Sequence, residues 1–300
     1  MTIPHSSVRT NVDLAPLTTY KVGGPARWYA EPDGLEDLRS ILEVTPAGAP
    51  VTVLGRGSNV VVADDGIDGL VLRLGRGFSG IDIGPDGDIA AGAAASLPIL
   101  ARTAATAGRS GLEFYVGIPG SVGGAVFMNA GGHGSDTAAV LASAMVFDVT
   151  TREVANRSVG ELGLAYRHSD LTSDEIVLQA SFHTGEIDPA DAEQVLRDIT
   201  RWRKTHQPGG TLNAGSVFKN PPGESAGAII DGLGLKGIGV GPVSVSEVHA
   251  NFMVATKDAT ASDIFLFVER VRNVVRERTG IELEPEIRFL GDFTEQGAQA

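Results

Sequence analysis

The chain has 300 residues, 42% hydrophobic and 20% charged, with no cysteine and a formal net charge of −13. The missing cysteines exclude disulfides, thiolate metal sites and cysteine nucleophiles, and the acidic balance repels phosphate backbones, so no nucleic-acid partner is expected. Apolar runs stop well short of the roughly 20 residues of a membrane span, and the N-terminus lacks the basic head and apolar run of a signal peptide, so a cytoplasmic protein without membrane insertion is expected.

In chain order, the stretch from Leu17 to about Leu74 alternates strand and helix signals. Glu31-Pro32-Asp33-Gly34 precedes Leu35, Leu38, Ile41 and Leu42, a helical stripe with Asp33 as its N-cap. Val51 to Leu54 and Val60 to Val62 read as buried strands on either side of a glycine loop. Ser96-Leu97-Pro98-Ile99 opens a helix through Ala107, with Gly108 just past its end. From Ile118 to Phe182, glycine loops separate short strands such as Ser143 to Asp148 and Ile176 to Phe182. Asp188-Pro189 is a cap with proline in the first turn. The helix behind it carries Val195, Leu196, Ile199 and Trp202 on one face and ends near His206, where Gln207-Pro208-Gly209-Gly210 marks a domain boundary. A last helix, Ala261 to Arg278, has Ile264, Phe267, Val268, Val271, Val274 and Val275 on a stripe. Gly280 terminates it, Ile281 to Leu290 reads as a strand, and the tail after Asp292 is expected to fray.

Glycine is the compositional outlier at 39 residues, and two glycine loops look built for phosphate. In Gly55-Arg56-Gly57-Ser58-Asn59 the glycines free successive amides to point into one concavity, Arg56 adds a cation, and Ser58 and Asn59 add donors. Val60 stands where a dinucleotide fingerprint would place its third glycine. The second loop, Gly117-Ile118-Pro119-Gly120-Ser121-Val122-Gly123-Gly124, lacks the lysine ending of a P-loop, and Pro119 blocks a serine-hydrolase elbow. Either loop alone is also compatible with a plain tight turn. None of the six histidines pairs with a carboxylate at metal-ligand spacing, so no metal is expected.

Asn213-Ala214-Gly215-Ser216-Val217-Phe218-Lys219-Asn220 places a hydroxyl in a small-residue turn, with a cation and an amide donor close behind it. Taken singly, Ser216 is an ordinary glycine-serine turn, Arg167 a surface salt-bridge residue and Glu286 a solvated strand glutamate, one of a row with Glu282 and Glu284. Together they sit in a Tyr-Arg-x-Ser at 166–169, an Ala-Gly-Ser-x-Phe-Lys-Asn-Pro at 214–221 and a Leu-Glu-Pro-Glu at 283–286. These motifs, in this order, resemble the UDP-N-acetylenolpyruvoylglucosamine reductases, flavoenzymes of bacterial cell-wall synthesis. The resemblance runs from Leu17 to about Phe293, and Thr18-Thr19-Tyr20-Lys21-Val22-Gly23-Gly24-Pro25-Ala26 is similar to that family's N-terminal signature.

The resemblance implies an α+β fold: a two-subdomain FAD-binding module of the vanillyl-alcohol-oxidase type and a C-terminal α+β substrate domain. The corresponding divisions are 1–75, with the tail 287–300 returning to it, 76–199, and 200–286. It implies that FAD lies with its pyrophosphate on Gly55 to Asn59 and its flavin along Gly117 to Gly124. With no histidine in the first loop, that FAD is expected to be non-covalent. NADPH would be the hydride donor, and a monomeric enzyme would reduce UDP-N-acetylglucosamine enolpyruvate to UDP-N-acetylmuramate, as a UDP-N-acetylmuramate dehydrogenase. Such a reduction needs hydride at the vinyl CH₂ and a proton at the neighbouring carbon, while negative charge builds on the substrate carboxylate.

By the resemblance Ser216 is the proton donor, and Arg167 and Glu286 bind and polarise the carboxylate. Beside an anion, Glu286 is expected to carry or share a proton. Lys219 is a candidate to steady the serine alkoxide, and Asn220 matches a position that touches the substrate diphosphate. Arg203 and Lys204, with Arg201, either grip that diphosphate or complement the helix dipole. His249-Ala250-Asn251-Phe252 matches a family pattern read as structural support or as an edge of the substrate site, and His133 occupies a place where relatives often carry tyrosine, a candidate for a flavin contact. The short stretch from Arg167 to Ser216 resembles the shorter second type of the family, and Ala228 stands where relatives commonly have lysine. Two rival readings are an FAD-dependent sugar or alcohol oxidase on the same fold and a non-catalytic UDP-sugar binding protein.

Overall fold

A computed structural model describes residues 6–293. The chain falls into two compact units. Among the described residues, the first takes 6–9, Trp28–Arg56 and Gly69–Arg203; the second takes Thr10–Arg27, Gly57–Asp68 and 204–293.

The first unit is built on a five-stranded antiparallel sheet in the order Val154–Ser158, Leu141–Asp148, Glu175–Phe182, Ile89–Gly92 and Ile81–Ile83. Both faces of its central strands carry core residues. Val146 pairs with Val177 and belongs to one core, with Ala144, Ala180 and Phe182; the next pair, Phe147 with Ile176, joins Leu178 in another. Successive residues of a strand point to opposite faces, so each neighbouring pair serves a different core. Helices Leu97–Thr106, Val122–Met128 and Pro189–His206 supply the first core through Leu97, Leu100, Ala104, Val126, Leu196 and Ile199. Helix Leu35–Val44 supplies the second through Leu38, Ile41 and Leu42, beside Trp28, Leu70 and Leu72. Val51–Val53 pairs in parallel with the end of Ile67–Leu72.

In the second unit, helix Ala261–Thr279 starts at a capping box between Thr260 and Asp263 and ends at Gly280, φ +75°. Its buried stripe, Ala261, Ile264, Phe267, Val268, Val271 and Val275, packs with Val243, Val245 and Met253 of a three-stranded antiparallel sheet. Each large apolar side chain so buried is worth roughly 1.5–3 kcal/mol against exposure. Arg288–Leu290 lies parallel to Val60–Val62, and the Tyr20 hydroxyl donates to Met253 O at 3.0 Å. Among the described residues no helix is long and apolar enough to cross a membrane.

Most helices and strands follow the sequence pattern, with four differences. Asp33 does not cap the first helix: Gly34 holds that position, and Asp33 Oδ1 accepts from Gly77 N at 2.9 Å instead. Val53 is 39% exposed, so Val51–Val53 is a strand with only partial cover. Val195 and Trp202 are exposed, because the buried stripe of their helix runs through Ala192, Leu196 and Ile199. Only Arg288–Leu290 of the expected strand at 281–290 is regular; Pro285 makes an isolated bridge with Phe218, since proline has no N–H to extend a ladder. The expected fraying beyond Asp292 falls mostly on residues 294–300, outside the described residues.

Candidate active site

In the second unit the Ser216 segment is an extended stretch held along its length. Gly215 turns into it at φ +81°, with its N–H on Asn213 Oδ1 at 3.0 Å. Val217 N donates to Asn251 O at 2.8 Å, Glu286 N donates to Val217 O at 2.7 Å, and Lys219 N donates to Glu284 O at 2.8 Å. Ser216 and Glu286 are therefore brought onto neighbouring stretches, both half-buried. The glutamates of the row at 282–286 have different fates. Glu282 pairs with Arg272 at 2.6 Å and Glu284 with Lys219 at 2.6 Å. The Lys219 ammonium thus already has a carboxylate partner, although Glu284 is 69% exposed and such a pair contributes only about 0–1 kcal/mol. Asn220 Oδ1 accepts from Ala226 N at 3.0 Å, which makes its carboxamide nitrogen the donor end. Lys204 is exposed.

The first glycine loop passes from the first unit to the second between Arg56 and Gly57. In the second unit Asn59 joins the loop to the Glu286 stretch: its Nδ2 donates to Glu286 O at 3.0 Å, and its carbonyl accepts from Arg288 N at 3.0 Å. Gly57, at φ +64°, is pressed on Leu17 and Thr18, where a Cβ would lie 2.1 Å from Leu17 O. Its carbonyl accepts from Thr19 N at 2.9 Å. In the first unit a Cβ on Gly55 would lie 2.8 Å from Ser121 Oγ, so the two glycine loops meet there. Ser121 also caps helix Val122–Met128, accepting from Gly124 N. Within each unit the loop packs too closely at Gly57 and at Gly55 for a side chain, and a glycine-rich loop whose amides are free of side chains fits the diphosphate of FAD.

Arg167, also in the first unit, sits at φ +54°, in a turn closed by paired bonds between Ala165 and His168. Its Nη2 donates to Gly131 O at 2.8 Å and its guanidinium stacks 5.0 Å from the Tyr166 ring centre. Sequence reasoning missed what holds that turn. Asn129, 1% exposed and itself at φ +41°, donates from Nδ2 to Ala165 O at 2.8 Å. Ser169, the last residue of Tyr-Arg-x-Ser, donates to Phe127 O at 2.7 Å and is an anchor. Gly131 belongs to a tight hairpin whose central residues His133 and Gly134 both have positive φ. His133 stands edge-on to Trp202 at 5.0 Å, and a Cβ on Gly117 would reach its ring at 3.2 Å. Burial and the Arg203 charge push His133 below the ordinary histidine range, and burial lowers Arg203 as well.

Comparison with known proteins decides the family. Residues 26–152 match the FAD binding domain family, and 207–290 match the UDP-N-acetylenolpyruvoylglucosamine reductase C-terminal domain. The reductase of Rubrobacter xylanophilus is 44% identical over 93% of this chain and 94% of its own length. The chain belongs to the UDP-N-acetylenolpyruvoylglucosamine reductase family. The reductase of Caulobacter vibrioides is 43% identical over 93% of each chain. The crystal structure of the Thermus caldophilus reductase superposes with a TM-score of 0.82, at 36% identity, covering 95% of this chain and 100% of that one. The α+β FAD-binding architecture expected from the sequence is that of the reductase family.

Proposed function

We infer that this chain reduces UDP-N-acetylglucosamine enolpyruvate to UDP-N-acetylmuramate in peptidoglycan precursor synthesis, with NADPH as the electron source and bound FAD as the carrier. Membership of the reductase family along nearly the whole chain supports the reaction. The observation that carries the residue roles is the Ser216 stretch, held on both sides by backbone and carboxamide hydrogen bonds with Glu286 beside it. Neither rival needs that hydroxyl: an alcohol oxidase needs a base, and a binding protein needs no acid at all. The decisive experiment is NADPH oxidation measured with and without the enolpyruvyl nucleotide, where strict dependence on the nucleotide is expected. We place the reaction in the cytoplasm, with a monomer as the working unit. The divisions 1–75, 76–199 and 200–286 are proposed as its cofactor and substrate parts.

Gly55 to Asn59 and Gly117 to Gly124 would hold the cofactor. When bound, FAD supplies hydride to the vinyl carbon of the substrate. The chain's own work lies on either side of that transfer. Arg167 and Glu286 meet the growing carboxylate charge, Arg167 as a permanent cation and Glu286 as a hydrogen-bond donor. Ser216 delivers its proton to the neighbouring carbon. A serine is a weak acid, but a carbanion is a far stronger base than an alkoxide, so the transfer runs downhill. Asn220, Arg203 and Lys204 are assigned to the substrate diphosphate, with Lys219, paired to Glu284, as the cation behind Ser216.

Two expectations test these assignments. Glu286→Gln keeps a neutral donor while removing the titrating group, so its activity should fall less than that of Glu286→Ala and lose part of the pH dependence. A Gln profile identical to wild type would show that Glu286 does not titrate in the cycle. The flavin should also leave on acid precipitation as intact FAD, because 54–59 contains no histidine or cysteine to bond it. Yellow colour retained in the washed pellet would reveal a covalent link and argue for the oxidase reading.

A further inference from the structure

The Ser216 segment has two flanks, and the chemistry above uses only one of them. Residues 284–287 lie on the first. On the second stands Asn251, a polar side chain 3% exposed. Its carboxamide brackets a single residue of the segment. Oδ1 accepts from Phe218 N at 3.0 Å and Nδ2 donates to Phe218 O at 2.8 Å, while the Asn251 carbonyl takes Val217 N at 2.8 Å. One asparagine thus supplies the bonds that a neighbouring strand would give. Val217 is 0% and Phe218 1% exposed, so water is no ready substitute for these partners.

Asn251 is itself aimed. Its N–H donates to Nδ1 of His249 at 3.2 Å, which leaves the proton of the neutral imidazole on Nε2. Burial first, then the charges of Lys236 and His206, hold His249 below its ordinary range, in the form that can accept this bond. The His249 ring in turn packs against Phe252 at 4.9 Å. The pattern at 249–252 is therefore a short relay from a neutral imidazole to the backbone two residues beyond Ser216.

We propose that Asn251 is a positioning residue for the proton donor: by bracketing Phe218 it sets where the Ser216 hydroxyl points, and it controls the protonation step without touching substrate. The proposal rests on Ser216 being that donor. A residue that only holds the fold together would, when altered, damage both halves of the catalytic cycle alike. A positioning residue damages the half that contains the proton transfer.

The test uses the FAD-loaded full-length enzyme with Asn251→Ala and Asn251→Asp. Aspartate keeps the size and the acceptor for Phe218 N–H but loses the donor to Phe218 O. Both variants should slow reoxidation by the enolpyruvyl nucleotide by about 10–100-fold, the consequence of a lost buried hydrogen bond and a misdirected acid. Reduction by NADPH and the KM for the nucleotide should stay within about threefold, and the solvent deuterium isotope effect on reoxidation should rise as proton transfer becomes limiting. In a Ser216→Ala background, adding Asn251→Ala should slow reoxidation by less than about threefold, because the group it positions is gone. Normal reoxidation by Ser216→Ala would remove the proton-donor reading, and this proposal with it. A slow Ser216→Ala beside wild-type rates and isotope effects in both Asn251 variants would overturn this proposal alone. Equal slowing of both half-reactions, or failure of both variants to fold, would also overturn it by making Asn251 a residue of the fold.

Discussion

Ser216→Ala is expected to leave flavin reduction by NADPH within about threefold of wild type, while slowing reoxidation by the enolpyruvyl nucleotide by about 10²–10⁴-fold, the usual cost of losing a positioned acid. The selectivity follows from where the hydroxyl sits. The neighbouring backbone is held by Asn251 on one flank and by 284–287 on the other, so alanine should inherit the same path and lose only Oγ. As the proposed proton donor, Ser216 would have no part in the transfer from NADPH, so that half should proceed. Rapid-mixing kinetics read the two halves separately. Reoxidation of the alanine variant at the wild-type rate would take Ser216 out of the chemistry and leave Glu286 as the remaining acid in its neighbourhood.

The proposed site residues are legible in the sequence, but what holds each of them in place is not. Ser216, Arg167 and Glu286 stand in short patterns that resemble one family, and the helices beside them announce themselves by period and cap, as Gly280 does at φ +75°. What sequence reasoning could not supply is long-range pairing. Nothing local to Asn251 says that its carboxamide will close on Phe218, or that Asn129 will hold the turn at Ala165. The row Glu282, Glu284, Glu286 reads as one face of a strand. In the fold Pro285 interrupts the ladder, and the first two glutamates go to separate cations. Asp33 makes the same point in reverse: its composition suits a cap, yet a bond to Gly77 takes the side chain elsewhere. Buried asparagines offer a general signal, since a carboxamide away from water must satisfy both of its ends. Burial itself is visible only in the fold.

The proposed cofactor loop gives the second large effect, and there the two glycines should behave differently. At Gly57 a Cβ would lie 2.1 Å from Leu17 O and 2.8 Å from Thr18 Cα, both backbone atoms, at φ +64°. Alanine there meets left-handed strain of roughly 1–2 kcal/mol and an overlap costing about 1–3 kcal/mol more. Moving the loop to escape breaks the bond from Thr19 N to Gly57 O. FAD affinity of Gly57→Ala should therefore fall by at least about tenfold, which corresponds to 1.4 kcal/mol. At Gly55 the obstacle is Ser121 Oγ at 2.8 Å, the tip of a side chain that can rotate away. That rotation gives up the cap on Gly124 N, a loss of about 1 kcal/mol. Gly55→Ala should accordingly be the milder variant, and in a Ser121→Ala background it should cost almost nothing further. No change at Ser121 should relieve Gly57→Ala. Titrating FAD into the apoproteins and following the quenching of its fluorescence gives the affinities. Wild-type binding by Gly57→Ala, or a Gly55→Ala penalty that persists without the Ser121 hydroxyl, would show that these contacts do not shape the cofactor site.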